Sequence, residues 1–190
     1  MKNLCLAFAV LLLLFGCKQQ SDYARAVETN IASGERNDSL FLQLRLRMTA
    51  KDFYATCWEL NKQGLIRQGP GNKSVQYKLT EEFEYPVFMR FYPEFTEDGK
   101  IWKMPVDFLH EAWAPWNKQL SADSLLPKVV NLFETWYASE FTKEVDRETG
   151  QTVYYSIDGN RQTLIFKRDS SRVSADISDI LLVNPLEKND

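Results

Sequence analysis

Residues 153–168 read Val153-Tyr154-Tyr155-Ser156-Ile157-Asp158-Gly159-Asn160-Arg161-Gln162-Thr163-Leu164-Ile165-Phe166-Lys167-Arg168. Val153, Tyr155 and Ile157 recur every second residue among β-branched and aromatic neighbours, which is strand periodicity. Asp158-Gly159 is a tight hairpin signal, because glycine takes the positive φ that such turns need. A second apolar run from Thr163 to Arg168 follows at once, so the two strands must be antiparallel. A third strand is expected near Val173 to Leu182.

Upstream, Val129, Phe133, Trp136 and Tyr137 recur at helical spacing, predicting a helix over 124–140 with Pro127 in its first turn. Arg147-Glu148-Thr149-Gly150 reads as the turn between that helix and the strands. The first half of the chain repeats the order. Thr49 with Asp52 three residues on caps a helix over 50–63 carrying Phe53, Cys57 and Leu60 on one face. Gly69-Pro70-Gly71-Asn72 is a turn, and Val75, Tyr77 and Leu79 alternate, as do Val87, Met89 and Phe91. Asp98-Gly99 then leads into a strand at 101–106. Leu40, Leu42, Leu44 and Leu46 alternate with polar residues and Phe41, which predicts a further strand ahead of the first helix.

The fold class expected is therefore α+β, with antiparallel sheet and two packed helices, over a domain spanning 36–190 with halves at about 36–108 and 121–183. One spacing relates Trp58 to Trp136 and Val75-Gln76-Tyr77-Lys78-Leu79 to Val153-Tyr154-Tyr155-Ser156-Ile157. Duplication and coincidence both remain open as readings of that spacing.

The first 17 residues carry an export signal. Met1-Lys2-Asn3 is a short positive start, and Leu4 to Phe15 is an apolar run about 12 residues long, within the signal-peptide range and short of the roughly 20 residues a spanning helix needs. Leu14-Phe15-Gly16-Cys17 resembles the lipobox of bacterial lipoproteins. The resemblance implies cleavage after Gly16, so that 1–16 is a signal peptide, and it implies acylation of Cys17. More than one acyl chain gives stable anchoring. Residues 17–35, polar with few apolar side chains, read as the lipidated terminus and a tether. Lys18 follows the cysteine, where inner-membrane lipoproteins of many Gram-negative bacteria carry Asp, so the resemblance implies the outer membrane, with the domain facing the periplasm. The cysteines are Cys5, Cys17 and Cys57, which leaves Cys57 alone in the processed chain and no intrachain disulfide.

The stretch Leu46-Arg47-Met48-Thr49-Ala50-Lys51-Asp52-Phe53 is similar to the entry of the first helix in envelope lipoproteins of the BamE (SmpA/OmlA) kind and in β-lactamase-inhibitor-like domains. Met48, Thr49, Asp52 and Phe53 fit their pattern, and Arg47 stands where that pattern has Gly. The resemblance implies a non-enzymatic domain that binds other proteins through an open sheet face. Asp38-Ser39-Leu40 and Asp123-Ser124-Leu125 resemble the O-glycosylation sequon of Bacteroidota envelope proteins, which makes Ser39 and Ser124 candidate modification sites. Both also have structural readings, as strand entry and helix cap.

Composition and motifs exclude several function classes. With Lys+Arg 23 against Asp+Glu 26, the chain lacks the basic surplus of a nucleic-acid binder. His110 is the only histidine, so multi-histidine metal centres are excluded. It is expected on a loop surface, and Cys57 on the buried face of its helix. No nucleophile elbow or phosphate-binding glycine loop occurs, and no catalytic residue, metal site or cofactor is expected. The acidic runs Glu81-Glu82-Phe83-Glu84 and Glu94 to Asp98 read as solvated loops.

What remains is aromatic density between Tyr85 and Trp116. If Val87, Met89 and Phe91 face inward, Phe88, Arg90 and Tyr92 face outward, and Trp102 joins them from the neighbouring strand. Trp113 and Trp116 fall in the segment from Leu109 to Leu120, which with Pro105 and Pro115 reads as a loop between the halves. Phe88, Tyr92, Trp102, Trp113 and Trp116 are thus the candidate partner-binding residues. The expected activity is binding of another envelope protein by a lipid-anchored, non-catalytic domain. Glycan binding by exposed rings is the alternative, and an envelope hydrolase a third.

Overall fold

The computed structural model describes residues 21–146 and 149–187. The signal segment, Cys17 and the first half of the turn at 147–150 lie outside them. The fold is α+β. Nine antiparallel strands, β1 (Ile66–Gln68), β2 (Val75–Leu79), β3 (Val87–Phe91), β4 (Glu94–Phe95), β5 (Ile101–His110), β6 (Thr142–Val145), β7 (Thr152–Asp158), β8 (Arg161–Lys167) and β9 (Arg172–Asp179), form one sheet. The order is β1-β2-β3-β5-β9-β8-β7-β6, with β4 paired to β5. Helices α1 (Asp22–Ser33), α2 (Ala50–Lys62) and α3 (Ala122–Tyr137) and two single 3-10 turns, Pro70–Asn72 and Lys118–Leu120, complete the described elements. Each of α2 and α3 precedes a run of strands, and the two runs meet where β5 lies against β9.

One sheet face is apolar. Val87, Met89 and Phe91 of β3, Met104, Val106 and Phe108 of β5, and Val173, Ala175 and Ile177 of β9 are buried on it. Helix α3 crosses β5, β8 and β9 with Leu125, Val129 and Phe133 turned into that face. Each such side chain contributes about 1.5–3 kcal/mol by leaving water. Helix α2 caps as its sequence predicts, Thr49 Oγ1 accepting from the Asp52 N–H at 3.2 Å, and buries Phe53 and Leu60.

Residues 40–46 do not form the expected strand. Ser39 bridges Arg45, the Leu40 N–H donates to the Leu44 carbonyl, and the chain reverses through Leu42 and Gln43, at φ of 49° and 64°. Leu40, Leu44 and Leu46 are still buried. Phe41 is buried beside Leu40 while Leu42, at the turn, is only partly so, because the reversal breaks the alternation that a continuous strand would keep.

Residues 22–33, expected within a tether, form a capped helix. Ser21 Oγ accepts from the Ala24 N–H, and Gly34 closes the other end at φ 66°. Val27 is buried, Tyr23 packs edge-on to Tyr155 at 5.3 Å, and its hydroxyl donates to Gln162 at 2.7 Å. Tyr23, Val27 and Ile31 at successive fourth positions carry this signal in an otherwise polar stretch.

Smaller differences have local causes. Helix α3 begins at Ala122, whose N–H is held by the Ser170 carbonyl, so Pro127 sits inside the helix and Ser121 is the cap residue in place of Ser124. The β7–β8 loop residues are Gly159 and Asn160, since Asp158 already pairs with Arg161. Strand β5 runs on to His110, so Pro105 is a strand residue, placed before the paired stretch of β3 begins at Val106.

Candidate functional site

The second sheet face is only partly covered. Alternation turns Gln76 and Lys78 of β2, Phe88 and Arg90 of β3, Asp107 and Leu109 of β5, Arg172 and Ser174 of β9 and Phe166 of β8 onto it. Helix α1 lies against its β7 side. Over the rest runs a concavity of about 670 Å³, lined by Arg90, Asp107, Phe166, Arg168, Arg172 and Asp176 among others and reaching Lys73, Ser74 and Tyr92 at one end. Arg67, Gln76, Arg90, Asp107, Ser174 and Phe166 follow one another across six strands in register.

Charge on this face is largely paired. Asp107 receives Arg168 at 3.0 Å and Ser174 at 2.6 Å, Lys103 meets Asp176 at 3.0 Å, and Lys78 meets Glu111 at 2.6 Å. Arg172 is held by Asp169, whose carboxyl lies well below the usual carboxylate range: burial opposes the shift, but the Ser171 backbone and side chain and the Arg172 guanidinium outweigh it. Phe88 is roofed by three cations, with Arg67, Arg90 and Lys78 at 5.3, 5.8 and 5.9 Å from its ring centre.

At Ser74 and Tyr92 the concavity continues into a groove of about 610 Å³ between α2 and the β1 edge, lined by Tyr54, Cys57, Trp58, Ile66, Arg67, Gln68, Asn72 and Tyr92. Trp58 is 63 % exposed, and Tyr54, Leu65 and Tyr92 also remain open to solvent. The Tyr54 and Tyr92 hydroxyls hydrogen-bond at 2.6 Å, and that bond, followed by burial, raises the Tyr92 pKa. Burial pushes the Cys57 thiol up to about 11.

The five aromatics expected at the partner site are not brought together. Phe88 lies half-buried on the open face under its cations, and Tyr92 has turned toward α2. Trp102 stands beyond the end of β3, because the β3–β5 pairing starts only at Val106. Trp113 and Trp116 follow the opposite end of β5, Trp113 half-buried and Trp116 84 % exposed with no neighbour from the other three. Tyr54 and Trp58 were missed. Their signal is the i,i+4 spacing opposite the buried face of α2.

His110 is buried, not on a loop surface. It is 2 % exposed at the end of β5, paired with Val87, and neither ring nitrogen has a hydrogen bond of normal geometry. Cys57 sits beside Tyr92 at the other end of β3, five strand residues from Val87 and so roughly 17 Å away, which leaves no Cys57–His110 dyad. Both candidate glycosylation serines have engaged hydroxyls. Ser39 donates to Asn37 and accepts from Arg161, and Ser124 donates to the Gln119 and Ser121 carbonyls. Among the described residues no group of three or more His, Cys, Asp or Glu could hold a metal, and no helix is long and apolar enough to cross a membrane.

No protein-family model and no curated protein matches the sequence. Among solved structures, a DUF4309 family protein, YjgB of Bacillus subtilis subsp. subtilis str. 168, aligns at 12 % identity over 81 % of this chain and 93 % of its own, with a TM-score of 0.35. A likeness of that size carries no argument about mechanism, and no catalytic family is indicated.

Proposed function

We propose that this chain is a lipid-anchored protein of the cell envelope, held in the outer membrane through acyl groups on Cys17 and facing the periplasm, whose α+β domain binds another envelope protein and carries out no chemistry. The anchor rests on the resemblance of Leu14-Phe15-Gly16-Cys17 to a lipobox. The observation that carries the binding function is the groove beside α2, where Tyr54, Trp58 and Tyr92 hold large rings open to solvent around one concavity. Clustered exposed rings cost a soluble surface favourable burial, and interfaces are where such rings are enriched. Intact mass and fractionation of the wild type and Cys17→Ala test the anchor. Acyl mass and membrane association should vanish together. A photocrosslinker at position 58 should capture a partner that one at position 116 does not, and equal labelling from both would sink the groove as the interface.

A second reading has its own support. The side-chain amides of Gln68 and Asn72 line the same groove as the bare Trp58 ring, an arrangement suited to stacking and hydrogen bonding a sugar. Quenching of Trp58 fluorescence by oligosaccharides, absent in Trp58→Ala, would favour it.

A further inference from the structure

The net charge of the whole chain is −3, yet three cations without an ion pair gather at one place on the sheet. Arg67, Lys73 and Arg90 have no carboxylate within ion-pair distance among the described residues, whereas Lys78, Lys103, Arg168 and Arg172 on the same face each have one. Arg67 lines the aromatic groove, and Lys73 and Arg90 line the sheet-face concavity. The three therefore flank the junction at Ser74 and Tyr92 where the two hollows meet. Arg90 is half-buried, and its one side-chain hydrogen bond is from Nε to the Gln76 side-chain Oε1 at 2.9 Å. Burial and the neighbouring Arg172 and Arg67 charges push its pKa down against the pull of Asp107. A half-buried guanidinium with one side-chain hydrogen bond, to an amide, and no carboxylate in direct contact can still take an anion.

We propose that Arg67, Lys73 and Arg90 form a docking site for an acidic segment of a partner protein, laid across β1–β3 with its carboxylates on the two guanidiniums and its apolar side chains against Tyr92, which lines both hollows. The proposal rests on the reading of the domain as a binding module and adds the chemistry of what it binds. Guanidinium forks match carboxylates in two-point geometry, and the exposed Tyr92 ring gives the segment an apolar contact. The concave face favours a chain segment over a flat lipid surface, which cannot follow the sheet into the hollow.

Fluorescence anisotropy with labelled decaglutamate, decaglutamine and decalysine tests this on the full chain in detergent. Decaglutamate alone should bind, more weakly as salt rises from 50 to 300 mM. Arg67→Gln/Arg90→Gln should weaken it at least tenfold, Lys73→Gln severalfold, and Lys143→Gln on the distant edge strand not at all. Lys73 is exposed and its side chain makes no hydrogen bond or ion pair among the described residues, so its variant keeps the test independent of a folding defect in the double variant. Binding that is indifferent to all these changes overturns the proposal. So does co-sedimentation of the wild type, but not the double variant, with phosphatidylglycerol vesicles when decaglutamate is ignored. Decaglutamate binding with no crosslinking from position 58 would sink only the groove; crosslinking without decaglutamate binding would sink only the acidic partner.

Discussion

Arg47 reaches the carboxylate of Asp179 with two nitrogens, Nε to Oδ2 at 2.5 Å and Nη2 to Oδ1 at 3.3 Å, and so ties the entry of α2 to the end of β9. Asp179 is 0 % exposed, and its carboxylate also accepts from the Leu181 N–H at 3.0 Å. Arg47 holds this position with a left-handed backbone at φ 61°. The helix-entry pattern it resembles has glycine there, the residue for which that φ carries no steric penalty. Arg47→Ala should cost about 3–5 kcal/mol, because it strands a buried carboxylate. Arg47→Gly should cost about 1 kcal/mol less by relieving the backbone. Urea melts of the two variants check the order, and equal losses would refute the strain argument.

His110 makes the stability of the fold depend on pH. Burial lowers its pKa, the Lys128 charge adds to this, and the Pro86 and Tyr85 carbonyls oppose it. The unfolded chain therefore takes up the proton first, so the stability His110 provides is complete above about pH 6.5 and is lost as pH falls below that value. Melting temperature should drop between pH 7 and 5.5. His110→Phe should flatten the slope, since it is the only histidine. An unchanged slope would assign the effect to the carboxylates.

Arg161 is a buried strut at 2 % exposure. Nη2 meets Asp158 at 2.7 Å, Nη1 meets the Ser39 carbonyl at 2.7 Å, and the guanidinium stacks 3.6 Å above Tyr137. Arg161→Met should cost about 3 kcal/mol by leaving that carbonyl unpaired. Arg161→Lys should recover less than half, because an ammonium cannot bond and stack in one plane. Full rescue by lysine in thermal melts would reduce the role to charge alone.

Cys57 should alkylate slowly. With its thiol near 11, the thiolate fraction at pH 8 makes iodoacetamide labelling about a hundredfold slower than for a free thiol. Mass spectrometry of timed aliquots reads this directly, and labelling at the free-thiol rate would contradict the burial argument.

Much of the fold is legible because its signals are local. Thr49 and Asp52 announce α2, Phe133 and Trp136 announce α3, and the glycines of both Asp-Gly pairs stand in tight turns at positive φ. What sequence hides is set by distant partners. Strand β1 is three residues long and owes its pairing to β2, and α1 is helical along a single stripe that only Tyr155 and Gln162 complete. The site was half legible. Phe88 and Arg90 do share the outward face, but the position at which β5 meets β3 puts Trp102 out of reach.

Docking α1 onto the sheet changes the mechanics of attachment. A free chain from 17 to 35 would span some 60 Å, whereas the four Cα–Cα steps from Cys17 to Ser21 reach at most about 14 Å. If Cys17 bears the acyl chains, the leash is short. The domain would ride within a headgroup layer's thickness of the bilayer, and a partner would have to come to the membrane surface to meet it.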